Sequence, residues 1–125
     1  MDAETTDQGP YFEAWEFIQN HPGTGGSNRI AKLVLSLWND DCAFAFSECC
    51  TSLDTARKQL ALRLVAAYLA DGETPDLVRV GHLIHQRYPE FWELGQAATA
   101  GKQALRDRWE RERLAEAEAE ELRHS

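Results

Sequence analysis

Ile30-Ala31-Lys32-Leu33-Val34-Leu35-Ser36-Leu37-Trp38 is the stretch that decides the fold. Ile30, Leu33, Val34, Leu37 and Trp38 stand at i, i+3, i+4, i+7 and i+8, which puts them on one face of an α-helix. A strand would instead alternate apolar and polar residues with a period of two. Asn39-Asp40-Asp41 ends the apolar stripe.

Working outward from it, the same helical period recurs. Upstream, Tyr11, Trp15 and Ile18 share a face of a short helix that Pro22 and the following glycines terminate. Ser27 or Asn28 is expected to cap the central helix by accepting its free backbone N–H groups. Downstream, Cys42–Cys50 is read as a helical turn, because Phe44 and Phe46 alternate like a strand but find no partner strand elsewhere. A third helix is expected over about Thr55–Ala70, with Ala61, Leu64, Val65, Tyr68 and Leu69 inward and Gly72 closing it. Thr74-Pro75-Asp76 reads as cap, first-turn proline and first-turn acid. The helix that follows runs to about Tyr88, with Leu77, Val80, Gly81, Ile84 and Tyr88 inward.

Pro89 introduces a last helix, expected from Glu90 to about Leu122, with Phe91, Gly95, Ala98, Leu105 and Trp109 on its buried face. At 1.5 Å per residue it would span about 50 Å, longer than a small domain is wide. The expected fold class is therefore all-α: a compact bundle of four to five helices with a long C-terminal helix projecting beyond the core. Residues 1–10 read as a flexible leader, 11–109 as the helical domain, and 110–125 as the charged end of the C-terminal helix.

The 125 residues suit a single domain that needs neither disulfides nor metal to hold a core. Cys42, Cys49 and Cys50 are an odd set with two adjacent members, a poor disulfide framework. No apolar run approaches the roughly 18 residues that cross a bilayer. The polar, acidic start lacks the basic and apolar regions of a signal peptide. A cytoplasmic location without a membrane partner is expected.

The net charge of −8 opposes contact with nucleic-acid phosphates. It is unevenly spread: residues 1–50 carry eight acids and two bases, 51–88 four acids and five bases, and 89–125 nine acids and six bases. The middle segment is thus the only one on which a DNA-binding reading can rest. There Arg57, Lys58, Arg63, Arg79 and Arg87 lie on two consecutive helices, the arrangement a helix-turn-helix reading needs.

Gly23-Thr24-Gly25-Gly26-Ser27, followed by Arg29, is the candidate ligand-binding constellation. Free N–H groups at a helix start attract phosphate or carboxylate. The loop lacks the Gly-x-x-x-x-Gly-Lys-Ser/Thr spacing of a phosphate-binding loop, so an anion-binding or catalytic domain built on it is the alternative reading. His82 and His85 lie one helical turn apart, but no further ligand sits at metal-binding spacing. Glu48 beside Cys49 and Cys50 disfavours a thiolate nucleophile. No catalytic residue, metal or cofactor is assigned.

The leading reading is a helical protein–protein interaction or regulatory module, a binding protein rather than an enzyme, engaging a protein partner or associating with itself. Arg106, Trp109 and Arg113 on the last helix are its candidate contact residues, because Trp and Arg are enriched among residues that dominate interfaces.

Overall fold

The computed structural model describes residues 9–125. They form six helices and no strand among the described residues: α1 (Gly9–Asn20), α2 (Gly25–Trp38), α3 (Phe46–Cys50), α4 (Thr55–Asp71), α5 (Pro75–Arg87) and α6 (Pro89–Arg123). Residues 1–8 of the expected leader lie outside the described residues; Gly9 and Pro10 already belong to α1, where proline is tolerated in the first turn.

The central element is α2, against which α1, α3, α4, α5 and α6 all pack. Ile30, Ala31, Leu33, Val34 and Leu35 are almost wholly buried. Neighbours on several sides explain why Leu35, off the expected stripe, is buried as well. Leu37 and Trp38, at the end nearest α6, are only half-buried. Around α2 the core is completed by Tyr11, Ala14 and Ile18 of α1, Leu60 and Leu64 of α4, and Leu77, Val80 and Ile84 of α5. Each large apolar side chain so buried stabilises the fold by about 1.5–3 kcal/mol relative to exposure.

Local capping sets the boundaries. Asp54 accepts the Arg57 N–H at 2.8 Å to open α4, and Gly72 closes it at φ +66°, a conformation that glycine takes without a Cβ penalty. Thr74 accepts the Leu77 N–H at 3.3 Å to open α5, with Pro75 at its first position. The cap of α2 departs from expectation: it is Thr24, not Ser27 or Asn28. Gly25 and Gly26 are helical, which moves the first turn back and buries Ser27 within it.

The inward face of α4 also differs. Leu60, Ala61 and Leu64 face the core, Val65 and Tyr68 are half-buried, and Leu69 points outward at 78% exposure. The helix carries two apolar stripes, and packing on α1 and α2 selects the one containing Leu60.

Candidate functional site

The glycine loop is a tight, self-satisfied turn. Thr24 Oγ1 donates to the His21 carbonyl at 3.0 Å and accepts from the Ser27 N–H at 3.2 Å, while the Asn28 N–H donates to the Thr24 carbonyl at 3.0 Å. Gly23 takes φ +78° to make the bend. Arg29 folds back over the first turn of α2, so that a Cβ on Gly25 would lie 2.7 Å from its Nη1. Of the six loop residues singled out from sequence, the structure thus joins Thr24 to Ser27 through a cap and Arg29 to Gly25 through contact. Beside them Lys32 faces Glu48 at 3.9 Å and lies 5.4 Å from the centres of the Phe44 and Phe91 rings.

The histidines are built into an aromatic cluster. His82 meets Trp38 edge-on at 4.7 Å, His85 stacks on Trp92 at 4.2 Å, and Trp38 and Trp92 are 5.2 Å apart. This cluster ties α2, α5 and the first turn of α6 together. Among the described residues no group of three or more His, Cys, Asp or Glu side chains is placed to hold a metal. Burial pushes the thiols of Cys42 and Cys49 up to about 11, and that of Cys50 also upward. All three stay protonated near neutral pH, the opposite of what a nucleophile needs.

The basic residues of 55–88 do not converge. Arg63 forms a two-pronged pair with Glu13, both contacts at 2.7 Å. Arg57 lies over the Phe17 ring at 4.0 Å, and Arg87 lies near Tyr88. Further, α4 and α5 pack on α1 and α2 rather than on each other, so they do not make the helix pair of a helix-turn-helix.

The last helix is the distinctive element. Its start is locked to the core: the Ala43 N–H donates to the Gly95 carbonyl at 3.2 Å, and Thr99 Oγ1 donates to the Asp41 carbonyl at 2.7 Å. Gly95 is buried, and a Cβ there would lie 3.0 Å from Cys42 Cα and overlap its sulfur. Beyond Thr99 the helix leaves the core. Residues 100–123 make an arm about 36 Å long, every residue of it exposed except the half-buried Leu105. Trp109 is 52% exposed, and Leu114 and Leu122 more so. Of the candidate contact residues, Arg113 pairs with Glu110 one turn away, while Arg106 has no carboxylate partner among the described residues. The expected buried face of this helix is therefore split. Phe91 and Gly95 dock, whereas Ala98 and Trp109 do not.

No family model, curated protein or solved structure matches this chain.

A second apolar surface went unread in the sequence. Phe46 and Leu62 are each 69% exposed, and with Cys50, Leu53, Lys58, Ala61 and Val65 they line a groove of about 310 Å³ between α3 and α4. Leu62, Val65 and Leu69, at i, i+3 and i+7, were the available signal. They form the second stripe of α4.

Among the described residues no helix is long and apolar enough to cross a membrane.

Proposed function

We propose that this chain is a helical protein–protein interaction module whose docking element is the free arm of α6. The observation that carries the reading is the arm itself, residues 100–123, which stand clear of the core with Trp109 half out in solvent. Helical stability in proteins comes mostly from packing an amphipathic face, and short isolated helices are marginal in water. The arm has only local support: Gln103–Asp107 at 2.9 Å, Arg108–Glu112 at 3.6 Å, Arg113–Glu110, and Arg123 and His124 with Glu120. Such pairs contribute about 0.2–0.5 kcal/mol each. A helix this long, bearing a tryptophan among arginines, gains its packing from another protein surface. The acidic balance of the chain and the dispersal of its middle arginines favour a protein over a nucleic acid as that surface.

The test is affinity capture with the full chain, its Trp109→Ala and Arg106→Ala variants, and a version ending at Arg108, with the captured proteins identified by mass. A protein, second copies of this chain included, held by the full chain and lost from the variants is the expected result. The same set of proteins held by all four would refute the assignment to α6.

A further inference from the structure

We infer that the partner of the α6 arm is a second copy of the same arm, laid antiparallel and centred on Glu110. The inference rests on the reading of α6 as the docking element and names its occupant.

A seam runs along the arm at alternating spacings of four and three, the repeat of paired helices. It begins at Leu94 and Ala98, passes Leu105, and ends at Ala119 and Leu122. It lies roughly a quarter turn round the helix from Gly95 and Thr99, which anchor α6 to the core. The core leaves most of it uncovered: Leu94 and Leu122 are 57% and 76% exposed, and Leu105 is half-buried. The seam is interrupted by only two charged residues, Arg108 and Glu112, and these stand at equal distances either side of Glu110.

That symmetry specifies the register. With two arms antiparallel about Glu110, Arg108 of each copy meets Glu112 of the other. Leu105 meets Ala115, and Leu122 meets Ala98, so a large side chain faces a small one in each layer. Gly101 meets Ala119, allowing the backbones to approach closely. On one flank Lys102 faces Glu116 and Trp109 faces its own counterpart. The one like-charged contact is Arg111 against Arg111 on the other flank, outweighed by two Arg108–Glu112 and two Lys102–Glu116 contacts.

The charge of the arm selects the direction. Residues 98–109 carry three bases and one acid, net +2, and residues 111–122 carry two bases and five acids, net −3. Antiparallel pairing sets the positive half against the negative half along its whole length. Parallel pairing would set like against like and put Arg108 beside Arg108, which is destabilising.

The length of the arm agrees. In this register Thr99 of each copy, where α6 meets its own core, lies level with Glu121 of the other, so only the last turn of each arm reaches the level of the other core. The two cores sit at opposite ends of a shared two-helix rod. Overlap uses the free arm and ends with the Leu122–Ala98 layer, one residue into the docked part of α6. A charged pair within the seam fixes register at some cost in stability, so a reversible dimer is expected.

The test is sedimentation equilibrium of the full chain up to about 100 µM, where a dimer of micromolar Kd would be essentially complete. The parent chain should dimerise. Arg108→Glu and Glu112→Arg should each weaken dimerisation by at least about tenfold, because each sets like charges against one another across the seam. An equimolar mixture of these two variants should form a heterodimer at close to parental affinity. Within each variant chain the i, i+4 pair stays repulsive, so recovery on mixing can arise only between chains. Far-UV circular dichroism checks that the variants stay folded. A parent chain monomeric at the highest concentration would overturn the inference; if α6 still captures another protein, the proposed function stands without it. A dimer indifferent to both charge changes would also overturn it, by placing the contact elsewhere.

Discussion

Adding one methyl group at Gly81 should destabilise this protein, although alanine is the better helix former. Gly81 is buried on α5, and a Cβ built there overlaps the Trp38 ring of α2. Glycine to alanine within a helix gains about 1 kcal/mol from backbone entropy. Against that, forcing an extra carbon into a packed contact typically costs about 1–3 kcal/mol. A displaced Trp38 also loses its 5.2 Å contact with Trp92 and its edge contact with His82, and an aromatic pair contributes about 0.5–1.5 kcal/mol beyond its burial. The balance is a net loss of about 1–2 kcal/mol, or roughly 3–8 °C in Tm for a chain of this size. Urea unfolding followed by tryptophan fluorescence measures it, and Trp38 should report its own displacement in the native baseline. The reasoning has a sharper consequence in a Trp38→Ala background. There the obstacle is gone, and Gly81→Ala should stabilise by about 1 kcal/mol, so the sign of the effect reverses. A Gly81→Ala chain as stable as the parent, or an equal effect in both backgrounds, would show that Trp38 is not what holds that position small.

Gly95→Val should loosen the docking of α6, since its branched side chain meets the Cys42 backbone; hydrogen exchange over Phe91–Thr99 should accelerate while the amides of α2 keep their protection. Because the folded thiols of Cys42 and Cys49 titrate at about 11 against an ordinary 9.0, their contribution is fully present below pH 9 and is lost as pH rises toward 11. Unfolding free energy should fall across that window by up to about 1.4 kcal/mol per pH unit for each thiol, with Cys42→Ala flattening the slope. Glu13 is held below its ordinary 4.5 by the hydrogen bonds from Arg63, so the pair stabilises above pH 4.5 and stops doing so as pH falls through the folded value. Both side chains are about half-exposed, which limits the effect to under about 1 kcal/mol. Arg63→Ala should therefore differ from the parent in urea unfolding at pH 7 and match it near pH 2.

How much of this was readable in the chain follows from how local each signal is. Gly72, Thr74 and Pro75 act within one helical turn, and each stands where its chemistry predicted. The stripe of α2 was legible for the same reason, since Ile30, Leu33 and Val34 leave a single helical face to bury. The face of α4 was not. Leu60–Leu64 and Leu62–Leu69 are rival stripes of equal quality, and only contact with α1 and α2 chooses between them. Gly81 and Gly95 read as inward positions of their helices; that each faces one particular neighbour, Trp38 and Cys42, is a tertiary fact with no local trace. In α6 the expected buried face combined two sets: Phe91 and Gly95, which dock, and Ala98, Leu105 and Trp109, of which Ala98 is exposed beside the anchor and the other two lie on the free arm. Glycine favours turns, yet Gly25 and Gly26 are the first two residues of α2, so the start of that helix is not marked by its composition.

The anchoring of α6 through Gly95 and Thr99 gives the arm the mechanics of a lever. Its fulcrum is a few contacts wide, the Ala43–Gly95 and Thr99–Asp41 hydrogen bonds and the Trp92 stack, and its free length is about 36 Å. Rotation of about 10° at that fulcrum carries the tip about 6 Å, more than a helical turn. Small rearrangements among Cys42, Gly95 and the aromatic cluster are thereby magnified at Leu122, at the far end of the molecule.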